Sequence, residues 1–216
     1  DKSMWDCQLD ALKTTHRVIA YDIRGFGRST DEESALNIDL FADDLIQFMD
    51  KLDIDKAIVC GLSMGGYIAL NAQKRFPDRL AALILCDTQC LADTPAAKEK
   101  RLKSIDEIKE DGVTDFNERF IRNVFHKASL LHKKEIVENL KKVVYTNSQH
   151  IITQGLTALA ARSETCSTLN KVNIPTLIIC GSDDVLTPPE QSEYIHKHIK
   201  GSELYVIENA GHVSNL

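Results

Sequence analysis

The chain has 216 residues and a mass of 24.2 kDa, long enough for one core that buries roughly 70% of the unfolded surface. Its composition is that of an ordinary globular protein, and a net charge of −6 with a pI of about 5.6 speaks against nucleic acid, which wants a basic face. No apolar run reaches the length of a membrane span and no signal peptide opens the sequence, so no membrane partner is expected.

In chain order, four short apolar runs read as strands buried on both faces: "RVIAYD" (17–22), "AIVCG" (57–61), "LAALILCD" (80–87) and "PTLIICG" (175–181). A fifth, "ELYVIE" (203–208), is shorter and partly alternating. Helical patterns lie between them. Ile38, Phe41, Ala42, Leu45, Ile46, Met49 and Leu52 recur at three- and four-residue spacing and predict one amphipathic helix. Tyr67, Leu70 and Phe76 predict a second over 63–75, stopped before Pro77. "PPEQSEYIHKHI" predicts a third after Pro189, since proline is tolerated in a first helical turn. Strands alternating with helices predict an α/β fold: a mostly parallel sheet with helices on both faces.

Residues 89–170 break that alternation. No strand is expected there, and helices are expected over 96–109, 113–126, 130–145 and 149–162. Only Gly112 and Gly155 of the ten glycines fall in this stretch, and it carries 13 Lys+Arg against 11 Asp+Glu in an otherwise acidic chain. The expected organisation is an α/β core in two parts, 1–88 and 171–216, with an all-helical cap over 89–170.

The six cysteines, Cys7, Cys60, Cys86, Cys90, Cys166 and Cys180, form no CxxC pair. Cys60, Cys86 and Cys180 lie in or at the end of apolar runs, where a free thiol behaves as a small hydrophobe. Six reduced cysteines are therefore expected, which points to a reducing compartment and a cytoplasmic location. No His/Cys/Asp cluster has metal-ligand spacing, and the sequence calls for neither a metal nor a cofactor.

The chemistry centres on "VCGLSMGGYIAL". Gly61-Leu62-Ser63-Met64-Gly65 is G-x-S-x-G between a strand pattern and a helix pattern, the frame of a nucleophile elbow. A serine in so sharp a bend needs small residues two before and two after it, and the following helix aims its amide N–H groups at developing negative charge. A serine hydroxyl also needs a base. Of seven histidines, His212 in "ENAGHVSN" lies in a loop after the last strand, at the carboxyl edge where open α/β sheets build sites. His126, His132, His196 and His198 fall in charged helical stretches, His16 precedes a strand and His150 opens a cap helix. The base needs an orienting acid, and Asp183, Asp184 and Asp87 all sit at strand ends. Spacing alone leaves all three open. The order Ser…Asp…His fits an α/β-hydrolase.

"YDIRGFGRS", "GLSMGGYIAL", the helical insert, "IPTLIICGSDDVLTPPE" and "ENAGHVSN" together resemble the α/β-hydrolase family with a helical cap, in its enol-lactonase, esterase and haloperoxidase-like branch. The resemblance runs along nearly the whole chain. It implies the acid three residues after the strand-ending glycine, which selects Asp184 after Gly181. It implies a structural role for Asp22, Arg24, Gly25 and Gly27, and an oxyanion donor at the N–H of Met64. The family's second donor comes from a loop next to a His-Gly pair, and no such segment is present in this sequence. The chain opens at "DKSMWDCQL", which resembles the family's segment just after that loop, and stops four residues after His212. The family's N-terminal strands and closing C-terminal helix are thus not found, and the sequence is expected to be an incomplete record of a longer protein.

The expected function is hydrolysis of a small carboxylic ester or enol-lactone through an acyl-enzyme on Ser63, His212 and Asp184. Carbon–carbon bond hydrolysis, perhydrolysis or acyl transfer on the same residues is the alternative within catalysis, and a ligand-binding protein that keeps the fold is the alternative outside it. Haloalkane dehalogenation is disfavoured, because that branch carries aspartate where Ser63 stands. Phe116, Phe120, Phe125 and Tyr145 are candidates to line a pocket, and Arg119, Arg122 and Arg162 to meet a substrate carboxylate; helical spacing also explains each as core or solvated face. A small-molecule ester or lactone is the expected partner, with homodimerisation left open.

Overall fold

A computed structural model describes residues 1–30 and 35–216. Its centre is a four-stranded parallel sheet with strands in chain order: β1 (Ala57–Leu62), β2 (Leu80–Cys86), β3 (Thr176–Gly181) and β4 (Glu203–Ile207). Register aligns Leu62 with Cys86, Cys86 with Ile179, and Ile179 with Tyr205. The carboxyl ends of all four strands, and the loops that leave them, therefore share one edge. Parallel neighbours need crossover connections. α3 (Met64–Arg75) joins β1 to β2, and α9 (Pro189–His198) joins β3 to β4.

α1 (Asp6–Leu12) opens the chain after a short 3-10 turn, and α2 (Ile38–Lys51) comes after the loop around residues 22–30. The apolar spacing of α2 becomes its buried face: Ile38, Phe41, Ala42, Leu45, Ile46 and Met49. Asn37 caps its start through the Leu40 N–H. This face joins α3, Val59, Leu83, Leu85 and Ile178 in the main core.

Two strand expectations change. Residues 17–22 form no strand: a strand needs a ladder partner, and this segment pairs with none of the four described strands. Side chains hold it instead. Tyr21 stacks on Phe48 of α2 at 4.8 Å, and the Asp22 carboxylate accepts the N–H groups of Lys2 and Arg28 at 2.6 and 3.0 Å. β1 is not covered on both faces. It lies at one edge of the described sheet, and Ile58 and Cys60 are exposed while Val59 and Gly61 are buried.

The stretch between β2 and β3 is helical: α4 (Pro95–Asp111), α5 (Thr114–Val124), α6 (Lys127–His132), α7 (Lys134–Tyr145) and α8 (Gln149–Ala161). A single helix expected over 130–145 is two. Lys133 breaks it, its N–H closing on Ser129 and its carbonyl opening α7 through Val137. No proline or glycine marks the break. The turn brings Leu130 of α6 and Val137 and Leu140 of α7 onto one apolar cluster with Val124 and Val213.

The cysteine expectation is also corrected. Cys90 and Cys166 form a disulfide across 76 residues, with Cα atoms 4.9 Å apart, while Cys7, Cys60, Cys86 and Cys180 are free. The reason is topological. The chain returns to the place where the insert begins before it enters β3: the Thr165 N–H donates to the Cys90 carbonyl at 2.8 Å, and the 3-10 turn Cys166–Lys171 then leads toward β3. Buried Arg162 strengthens the same base by pairing with Asp93 at 2.7 Å. The disulfide removes the ground on which a reducing compartment was expected. Cys90→Ser is expected to lower unfolding stability by roughly 2–4 kcal/mol, since the bond constrains a long loop in the unfolded chain. The urea midpoint of the variant against the wild type measures this, and an unchanged midpoint contradicts it.

Candidate active site

The loops at the carboxyl edge carry the candidate residues. Ser63 comes directly after β1 and precedes α3, with φ 53° and ψ −113°, a conformation an L-residue enters only when its surroundings hold it there. Its N–H donates to the Cys86 carbonyl at 2.9 Å. Its own carbonyl accepts the N–H groups of Gly66 and Tyr67 and the Thr88 hydroxyl. The turn demands close approach at two glycines. A Cβ on Gly61 would stand 2.2 Å from the Gly65 carbonyl oxygen, and one on Gly66 would stand 2.4 Å from the Thr88 hydroxyl. At Gly65 a Cβ would meet nothing among the described residues, so Gly66 carries the constraint that the motif places on Gly65.

His212 lies in the loop after β4 and is 4% exposed. Its Nε2 is 2.7 Å from Ser63 Oγ, and its Nδ1 is 2.8 Å from Asp184 Oδ2. A carboxylate only accepts, so Nδ1 carries the proton and Nε2 is left to accept from the serine hydroxyl. Asp184 is 3% exposed, and every described bond to it comes from a donor. Oδ1 accepts the Leu186 and Thr187 N–H groups at 2.8 and 3.1 Å, and Oδ2 also accepts the Thr187 hydroxyl at 2.7 Å. Burial alone pushes this carboxyl up, but the bonds and charge from His212 and those from Thr187 outweigh it and hold Asp184 below the usual carboxylate range. It is therefore ionised at neutral pH. Thr187 also lies 3.2 Å from His212 Nδ1, so one hydroxyl braces both partners. Nothing in the sequence pattern singled out Thr187 or Thr88.

The other two acids stand apart from the imidazole. Asp183 turns outward, half-exposed, to accept the Ser182 hydroxyl at 2.6 Å. Asp87 is buried, with its oxygens on Gly181 and Ser214. Met64 is the first residue of α3, so its N–H is among those with no intrahelical carbonyl, and it sits next to Ser63.

The cap candidates go elsewhere. Arg162 is 5% exposed and bonded to Asp93 and the Leu91 carbonyl, and its guanidinium lies over the Tyr67 ring. Arg119 pairs with Glu107, and Arg122 is on an exposed side of α5. Phe125 is buried in the cap cluster with Phe120 packed against it, Phe116 packs on the main core, and the half-exposed Tyr145 donates to Glu118. Asp22 and Arg24 build the loop before α2, Arg24 through two bonds to Asp44 at 2.6 and 2.8 Å. No helix among the described residues is long and apolar enough to cross a membrane.

A buried acid, a histidine and a serine in line are an arrangement able to activate a hydroxyl for attack on an acyl carbon. The family model for the alpha/beta hydrolase fold matches residues 1–216. The chain is 30% identical to 3-oxoadipate enol-lactonase 2 of Acinetobacter baylyi over 99% of its length and 78% of that protein. It is 28% identical to a pimeloyl-[acyl-carrier protein] methyl ester esterase of Neisseria meningitidis, over 98% and 82% respectively. A thermophilic esterase from Thermogutta terrifontis superposes with a TM-score of 0.94 at 32% identity, covering 99% of this chain and 79% of that one. The chain belongs to the α/β-hydrolase fold family and is an α/β-hydrolase.

Proposed function

We propose that this α/β-hydrolase is a serine hydrolase that cleaves a small carboxylic ester or enol-lactone through an acyl-enzyme. The observation that carries the reading is the unbroken line Ser63 Oγ–His212 Nε2 at 2.7 Å and His212 Nδ1–Asp184 Oδ2 at 2.8 Å. In this reading Ser63 Oγ attacks the acyl carbon as its proton passes to Nε2. Asp184 holds the imidazole ring and stabilises the imidazolium. The tetrahedral oxyanion takes the N–H of Met64 as one donor. Collapse breaks the acyl–oxygen bond, and the proton on Nε2 goes to the leaving alkoxide or enolate. Water then gives its proton to Nε2 and attacks the acyl carbon; the acyl–Oγ bond breaks as that proton passes to Ser63 Oγ, which releases the acid and restores the serine hydroxyl. The enol-lactonase and methyl ester esterase among the relatives support esters and lactones as the substrate class.

The intact protein should turn over p-nitrophenyl acetate and butyrate, a short methyl ester, or a five-membered enol-lactone with saturation kinetics. Stoichiometric product before steady state reports the acyl-enzyme. A folded protein that turns over none of these would sink the reading.

A further inference from the structure

We infer, on the triad reading proposed above, that Asp87 is a positioning residue that locks the His212 loop to the end of β3 behind the catalytic line. Asp87 comes directly after β2 and is fully buried. None of its described hydrogen bonds goes to His212. Oδ1 accepts the Gly181 N–H at 2.8 Å, three residues before Asp184. Oδ2 accepts the N–H and hydroxyl of Ser214 at 3.3 and 2.5 Å, two residues after His212. One side chain thus ties the strand that leads to the acid to the loop that carries the base.

The serine turn hangs from the same three residues. The Cys86 carbonyl accepts the Ser63 N–H, the Asp87 N–H donates to Ile179 of β3, and the Thr88 hydroxyl donates to the Ser63 carbonyl, all at 2.9 Å. Residues 86–88 therefore bond to all three segments that carry the triad. Asp87 holds φ 44°, a conformation that a non-glycine residue keeps only where its surroundings over-determine it. A carboxylate has lone pairs for all three donors on its two oxygens, whereas an amide has a single oxygen.

Charge works in the same direction as geometry. Burial pushes the Asp87 carboxyl up to about 6, against the bonds from Ser214 and Gly181 and the charge of His212, with Asp184 adding to the rise. Cys86 on its own strand and Cys180 on β3 also face it; the Cys60 hydrogen bond and burial push the first thiol up, and burial pushes up the second. When ionised, Asp87 favours the imidazolium through which His212 passes.

The test compares wild type, Asp87→Asn and Ser214→Ala on one p-nitrophenyl ester and with a fluorophosphonate probe. Asp87→Asn should lower kcat roughly 10- to 100-fold, the scale of a small misplacement of reacting groups, with little change in KM. The acid limb of its kcat/KM profile should move to lower pH, because the imidazolium loses a nearby negative charge. Ser214→Ala should shift kcat in the same direction by a smaller factor. A lower melting temperature with kcat and the acid limb unchanged would mean that Asp87 only supports the fold, and would overturn the inference. If Asp87→Asn does not fold, an unchanged kcat and acid limb in Ser214→Ala does the same. A wild type that takes no probe removes the triad reading itself, whereas a labelled wild type with unaffected variants removes this inference alone.

Discussion

Ser63→Ala should lose about 10⁴-fold or more in kcat while keeping its fold and its affinity for substrate. Alanine removes the only atom in the line that can form the acyl bond, and leaves Gly61, Gly66 and the Thr88 contact that shape the turn. His212 would then face a methyl group, and what activity remained would come from water and oxyanion stabilisation. A fluorophosphonate probe makes the result direct. Wild-type protein should gain the probe's mass on the peptide that contains Ser63, and the variant should gain none. Activity within tenfold of wild type in Ser63→Ala, or label on another serine, would place the nucleophile elsewhere.

The second large effect separates two neighbours that spacing leaves open. Asp184→Asn should lower kcat by about 10³- to 10⁴-fold, because an amide facing Nδ1 favours the wrong tautomer and no longer stabilises the imidazolium. Asp183→Asn should stay within about threefold, since its carboxylate is half-exposed and bonded to Ser182, outside the line. Asp184 lies below the usual carboxylate range, so the wild type has this charge in place across the neutral range and the contrast between variants should hold from about pH 6 to 9. Equal losses in the two variants would mean that the loop, not the Asp184 carboxylate, matters. The measurement is kcat on one ester at three pH values with circular dichroism as the fold control.

Much of the core and of the serine turn is written locally. The apolar spacing of residues 38–49 reappears as the buried face of α2, and β2 and β3 lie within a residue of their apolar runs. G-x-S-x-G between strand and helix marks Ser63 because the bend restricts side chains within five residues of it, a constraint that sequence records. The break at Lys133 left no such mark. It exists to bring Leu130 and Val137 onto one cluster with Val213, and that requirement comes from a segment some 80 residues away.

The cysteines and the acids show where local reading stops. Cys90 and Cys166 look like two isolated thiols until the far end of the insert folds back beside its start, where the Thr165 N–H meets the Cys90 carbonyl. Asp87, Asp183 and Asp184 have the same chemistry and all sit at strand ends. Burial, the donors around each carboxylate and the direction in which each loop turns give one to His212, one to solvent, and one to the joint between β3 and the histidine loop. The class of fold, the serine in its bend and the set of residues able to serve it are legible along the chain, because these depend on neighbours a few positions apart. The family resemblance picks out the acid among the three, and Asp184 does meet His212. Which cysteines meet each other and which threonine braces the pair emerge only when distant segments pack, since each depends on distances that nothing local encodes.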